Sequence, residues 1–233
     1  MPGLHVLSAG AAKGLVQGLQ ADFERDSGFT LQCTFGAVGA VLERLNAGAP
    51  CDLIVLTRAM IDTLARDGRV DARIADLGWV HTGVAVPTDA AAPPVSDVAS
   101  LLAVLEPSNA IYVPDPERAT AGIHALRVLK ALQLADIEPR LRAFPNGATA
   151  MAAMAERADA RAVGITQVSE IRYTPGVRLL GVLPAPHGLA TLYSGAVARG
   201  ATHVDAAADL LQRLSTPERS SWRQQAGFEA TSA

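Results

Sequence analysis

From residue 4 to residue 68 the chain keeps one rhythm: a short apolar run, a small-residue break, a helical stretch and a glycine stop. Leu4–Ser8 is apolar and ends at Ala9-Gly10. Ala11–Ser27 then places Leu15, Leu19 and Phe23 at helical spacing and stops at Gly28. Phe29–Phe35 reads as a second strand. Ala37–Ala47 reads as a second helix, through Val38, Val41, Leu42 and Leu45, halted by Gly48 and Pro50. Asp52–Leu56 is a third buried strand, and Thr57 and Arg58 open a helix that runs to Asp67 before Gly68. Three strands alternating with three helices predict a parallel sheet covered by helices, with ligands at the carboxyl ends of the strands.

After residue 76 the rhythm loosens. Trp79–Val86 reads as an extended strand, and Ala90-Ala91-Ala92-Pro93-Pro94 as a surface excursion. Strands are expected at Ala110–Val113, Arg142–Phe144, Ala162–Ile165, Val177–Val182 and Leu189–Ala198. Helices are expected at Val98–Leu105, Thr120–Leu134, Ala148–Ala158, Val168–Arg172, His203–Leu214 and Pro217–Gln225. The pattern predicts two α/β lobes, each a sheet flanked by helices. Residues 1–81 with 191–233 form the first, and 82–190 form a second, inserted lobe. Two crossover segments near 78–87 and 183–195 are the expected hinge, with closure on a ligand as the motion.

Composition excludes several functions. Of 233 residues, 49% are hydrophobic and 18% charged, too apolar and weakly charged for disorder. Twenty basic residues against 23 acidic ones leave no basic footprint, so no nucleic-acid partner is expected. Two cysteines cannot build a disulfide scaffold, and both read as small buried residues. No apolar run reaches the roughly 18 residues of a spanning helix, so no membrane insertion is expected. The start Met1-Pro2-Gly3 leads straight into the first strand, without the basic and apolar regions of a secretory leader. The expectation is a cytoplasmic protein as the sequence stands, or a periplasmic one from which a leader has been removed.

Several segments carry a family resemblance over nearly the whole chain. They are Gly48-Ala49-Pro50-Cys51-Asp52-Leu53, Asp115-Pro116-Glu117 followed by Ala121-Gly122-Ile123, Gly164-Ile165 and Ala226-Gly227-Phe228. In order and spacing they resemble the periplasmic molybdate-binding proteins of ABC transporters, which have the type II periplasmic-binding-protein fold. The resemblance implies an oxyanion held in a cleft by hydroxyls and by backbone N–H groups at helix starts, and an ABC transporter permease as partner if the protein is exported. The physics does not depend on the family: a helix start carries unsatisfied N–H groups and about half a positive charge, so it binds anions without lysine. Four such starts lie near strand ends, at Gly10-Ala11, Ala37-Val38, Thr120-Ala121 and Gly147-Ala148.

The side chains depart from the family. Alignment sets Ala11 and Val38 where molybdate binders carry serines, and Gln167 near a ligand-contacting tyrosine. Each lost hydroxyl donor to a charged acceptor removes roughly 1.5–3 kcal/mol. Ser8, Thr57, Thr120, Thr149 and Thr166 are the hydroxyls that could compensate. The expected ligand is therefore a small anion, preferably an organic carboxylate with an apolar part. The candidate ligand-binding residues are Ser8, Gly10, Ala11, Ala37, Val38, Thr57, Arg58, Thr120, Ala121, Ala148 and Gln167. Arg58 reads either as a bidentate carboxylate clamp or as a solvated residue at a helix start.

No cofactor or metal is expected. The five histidines lack zinc spacing, and Ser8-Ala9-Gly10-Ala11-Ala12-Lys13-Gly14 matches neither a dinucleotide fingerprint nor a phosphate loop. The alternative to a binding protein is a cytoplasmic enzyme on this fold, an isomerase or decarboxylase of a small acid. His81, His187 and Asp115 are its candidate acid/base groups. Asp115 also reads as a loop residue that caps the next helix.

Overall fold

The computed structural model describes residues 1–134, 136–157 and 159–231. In chain order the first stretch holds β1 (Gly3–Ala9), a 3-10 turn at Gly10–Ala12, α1 (Lys13–Ser27), β2 (Thr30–Gly36), α2 (Val38–Asn46), β3 (Leu53–Thr57), α3 (Arg58–Arg66) and β4 (Val70–Pro87). Next come α4 (Val98–Leu105), β5 (Ala110–Pro114), α5 (Thr120–Ala131), α6 (Ile137–Arg140), β6 (Leu141–Phe144), α7 (Gly147–Arg157), β7 (Ala162–Gln167), α8 (Val168–Tyr173) and β8 (Val177–Val182). The chain ends with β9 (Ala190–Ala198), α9 (Val204–Ser215), a 3-10 turn at Pro217–Arg219 and α10 (Ser220–Gln225). It divides into two compact units: Met1–Val80 with the chain from Thr191 onward, and His81–Ala190.

In the first unit β1 pairs in parallel with both β2 and β3, and Ala9 stands opposite Gly36. β9 joins β3 antiparallel, with Thr57 opposite Tyr193 and Leu53 opposite Val197. The returning chain thus begins β9 beside the carboxyl end of β3 and runs back along it, so this sheet is mixed where an all-parallel one is expected from the first three strands. One apolar cluster holds Leu7, Ile54, Leu56, Ile61 and Leu64. Leu15, Leu19, Phe23, Leu210 and Leu214, from α1 and α9, are also fully or almost fully buried.

In the second unit β5 pairs in parallel with β6 and β7, while β4 pairs antiparallel with β7 and β8. Alternation along these strands feeds two cores. Val84, Val86, Ile111, Val113, Val163 and Ile165 enter one, with α4 and α5. Ala85, Ala110, Tyr112 and Ala162 enter the other, with Met151 and Met154 of α7. A strand buried on both faces needs apolar residues at successive positions, and these strands have them. The alanine-rich composition serves close approach here. At Gly122 of α5 even a Cβ would overlap the carbonyl oxygens of Pro114 and Asp115, so only glycine lets that helix start sit on the end of β5.

Some expected boundaries move. β4 begins at Val70, nine residues before the expected Trp79, because Asp71, Arg73 and Asp76 break the apolar signal without breaking the extended backbone. α5 ends at Ala131 instead of Leu134, and Gln133 takes a positive φ of 53° that no helix continues through. α7 starts at Gly147; Ala158, its expected last residue, lies outside the described residues.

The first unit is tied at Asp52, which is 1% exposed. Its Oδ2 accepts from the His5 N–H at 2.8 Å, and its Oδ1 accepts from the N–H groups of Thr202 and His203 at 2.7 and 3.1 Å, just before α9. One carboxylate thus serves β1 and the start of α9 together. Replacing it leaves three donors short of an acceptor, each costing 1 kcal/mol or more. Asp52→Ala is expected to lower unfolding free energy by about 3 kcal/mol in urea titration. Asp52→Asn, which keeps one oxygen, should lose roughly half as much.

Candidate functional site

The parallel strands of the first unit finish side by side, and a helix begins after each. Backbone N–H groups therefore gather at one sheet edge, from the 3-10 turn into α1, from α2 after Ala37, and from α3 after Thr57. None of these starts has a side-chain cap, and none has an acid in its first turn. In the second unit α5 begins after Ala119 in the same condition. Two other helix starts are satisfied by side chains. Asp97 and Ser100 form a complete capping box on α4, and Asp52 receives the N–H groups leading into α9. The starts of α1, α2, α3 and α5 lack both a side-chain cap and a first-turn acid, and all four lie at carboxyl ends of strands.

Ser8 is fully buried, and its hydroxyl donates to the Ala9 carbonyl at 3.0 Å. Gly10, Ala11 and Ala37 are buried and contribute backbone only. Val38 is half-buried and packs on the cluster of Leu7, Val41 and Ile54. Thr57 is half-buried at the start of α3. Lys13, the first residue of α1, lies 5.9 Å from the centre of the Phe35 ring at the end of β2.

Arg58 has neighbours that the sequence did not reveal. Its Nε donates to Asp62 at 2.7 Å and its Nη1 to Asp76 at 2.8 Å. Ser194 of β9 donates its hydroxyl to the same Asp76 oxygen at 2.7 Å. The hydrogen bonds it donates to Asp62 and Asp76 raise the guanidinium pKa above its ordinary value. Two carboxylates around one guanidinium carry a net negative charge, so this group is a weaker anion attractor than an isolated arginine.

In the second unit Thr120 and Ala121 open α5, and Gln167, 2% exposed, ends β7. Asp115 accepts through Oδ1 from the N–H groups of Glu117 and Arg118 at 2.8 and 3.0 Å, which fixes the loop leading to α5. The His124 ring donates through Nε2 to the His187 carbonyl at 2.7 Å, and the His187 N–H donates to Pro184. His81 is half-buried on β4.

The start of α7, with Ala148, is already filled. Glu170 of α8 accepts through Oε1 from the N–H groups of Gly147 and Ala148, at 3.1 and 3.4 Å. Its Oε2 accepts from the Thr166 hydroxyl at 2.6 Å. The sequence gives little sign of Glu170. Its one signal is an acid four residues after Thr166 in an otherwise buried run, and a first-turn acid on a short helix reads equally well as surface decoration. Burial raises its pKa above the ordinary 4.5, while the Thr166 hydroxyl and the Ala148 and Gly147 N–H groups pull the other way.

Among the described residues no group of three or more His, Cys, Asp or Glu side chains is placed to hold a metal ion. Burial pushes the Cys33 and Cys51 thiols up to about 11 and about 12, far from nucleophilic readiness. No described helix is long and apolar enough to cross a membrane.

Two predictions follow from Glu170. A Cβ at residue 147 would overlap both its carboxylate and Thr166. Gly147→Ala should therefore cost about 2 kcal/mol, read as a lowered urea midpoint. A carboxyl whose folded pKa is raised binds its proton more tightly in the folded state, so its contribution to stability is lost as pH rises above 4.5. Glu170→Gln should flatten that part of the stability–pH curve, measured by urea titration at several pH values.

Comparison with known proteins sets these features in a lineage. The family described as bacterial extracellular solute-binding protein matches residues 4–229. An aconitate isomerase from a Pseudomonas species is 27% identical over 237 residues, covering 99% of this chain and 88% of its own. The molybdate-binding protein ModA of Escherichia coli K12 is 25% identical over 205 residues, covering 84% and 77%. Among solved structures, the periplasmic molybdate-binding protein of Azotobacter vinelandii superposes with a TM-score of 0.77 at 17% identity, over 98% of this chain and all of its own. The fold is that of the type II periplasmic binding proteins.

Proposed function

The chain belongs to the bacterial extracellular solute-binding protein family, and from that premise we propose that it binds a small organic carboxylate through backbone N–H groups. The observation that carries this reading is the contrast between helix starts. Those of α1, α2, α3 and α5 lack caps and first-turn acids, whereas α4 is fully capped. Uncapped starts carry donors and partial positive charge for which a ligand carboxylate is the natural complement. Ala11 and Val38 offer no hydroxyl there, so the donor set is thin for a tetrahedral oxyanion that must be bonded on every side. It suits a planar carboxylate joined to a carbon skeleton. Val38 and Phe35 supply apolar surface near that skeleton. If the protein is exported, an ABC transporter permease is the recipient of the ligand.

A second reading, an isomerase of a small unsaturated acid, is favoured by the aconitate isomerase relative aligned over 99% of the chain. The step would be an allylic proton shift. A base takes a proton from the carbon next to one carboxylate, the double bond moves, and the conjugate acid returns a proton to the far carbon. Negative charge builds on the carboxylate as the proton leaves, and helix-start N–H groups aimed at it would lower that barrier. His81, His187 and Asp115 remain the candidates for the base.

Isothermal titration with citrate, cis- and trans-aconitate, malonate, sulfate and molybdate tests the first reading. A di- or tricarboxylate should bind at least about tenfold more tightly than molybdate. Sub-micromolar molybdate binding would overturn the preference. Proton NMR of each bound carboxylate over hours separates the two readings: unchanged ligand supports binding alone. Interconversion of the aconitates, lost in His81→Ala, His187→Ala or Asp115→Asn, establishes the isomerase.

A further inference from the structure

β5 and β6 are parallel neighbours, with Pro114 opposite Phe144, and β7 flanks β5 on its other side. The starts of α5 and α7 therefore open on one sheet edge of the second unit. The α5 start has no side-chain cap. The α7 start differs: a carboxylate from the same chain already rests on its first N–H groups.

We propose that Glu170 is the resident carboxylate ligand of α7, holding the position this helix start would otherwise offer to a bound anion, and so acts as a specificity-determining residue. The geometry is that of a built site. Glu170 is 5% exposed, and Gly147, Ala148 and Thr166 all donate to its two oxygens. The Thr174 hydroxyl donates to the Glu170 carbonyl at 2.7 Å, securing the residue from its backbone side as well. Residue 147 must be glycine for the carboxylate to fit, because a Cβ would occupy its place. A carboxylate on a helix start gains the dipole and donor interactions that a bound ligand would gain. When ionised it also sets a negative charge at that edge, which penalises any ligand presenting a second full charge there. The α5 start remains an uncapped donor group of this unit, and a ligand with a neutral or apolar part towards α7 is favoured. That Glu170 occupies α7 stands on the geometry; that it steers the choice of ligand rests on the carboxylate reading above.

Exchange of the resident group for a free one tests the occupancy. At mildly alkaline pH, Glu170→Ala should melt several degrees below the wild type. Formate at tens of millimolar should restore much of that loss saturably, leaving the wild type unmoved against a chloride control. In nitrogen–proton NMR spectra, formate should shift the Gly147 and Ala148 amides of the variant only. A formate response equal in both proteins, or absent from the variant, overturns the proposal. Should Glu170→Ala fail to fold, Glu170→Gln keeps an acceptor oxygen and loses the charge. Its Gly147 and Ala148 amide protons should move upfield, and unchanged positions would overturn the proposal. Specificity is read separately by titrating sulfate and molybdate into Glu170→Gln, where affinity should rise about tenfold or more over the wild type. Equal affinity overturns the steering role. Tight molybdate binding by the wild type would instead defeat the carboxylate reading, and the amide shifts would still report who occupies α7.

Discussion

Each helix of an α/β protein opens with backbone N–H groups that its own hydrogen bonds cannot satisfy, and this chain depends on how those groups are distributed. At three starts a side chain answers them: Asp97 on α4, Asp52 ahead of α9 and Glu170 on α7. After β1, β2, β3 and β5 the groups stay uncapped, at α1, α2, α3 and α5. The same donors that would destabilise a helix if buried and empty become a charge-selective surface when left at a sheet edge. Binding ability is then a matter of which caps are withheld. On the function proposed above, a near-neutral chain with two lysines binds an anion on those terms.

The same logic explains what the sequence displayed and what it hid. The βαβαβα rhythm of the first 68 residues is legible because apolar spacing and glycine stops are local signals, and β1, β2, β3 and their helices stand where that rhythm puts them. The first half of β4 was hidden because Asp71, Arg73 and Asp76 interrupt the apolar pattern. Asp76 is held there by Arg58 and Ser194, partners 18 and 118 residues away. Uncapped helix starts were legible from Gly10-Ala11, Ala37-Val38 and Thr120-Ala121. Glu170 on α7 was not, since its meeting with Gly147 across 23 residues is a product of packing. Local chemistry is written in the sequence; long-range pairing has to be seen.

Family membership and residue chemistry answer different questions. Similarity over residues 4–229 fixes the architecture and the broad solute-binding class. The relatives themselves part company on what they handle, since one is an aconitate isomerase and another a molybdate-binding protein. At three of its helix starts this chain has Ala11, Val38 and Gln167.

Asp52 has a consequence for biosynthesis. Its carboxylate and the outer edge of β3 are completed only by residues 191 to 203, while residues 81 to 190 form a unit of their own. A chain growing from its N-terminus therefore finishes the second unit first. The first waits, with β3 lacking a neighbour and Asp52 lacking two of its three donors, until nearly the whole polypeptide has emerged. Over that interval the apolar edge of β3 is the exposed strand most in need of protection, and the emergence of residues 191 to 203 converts it into the interior of a sheet.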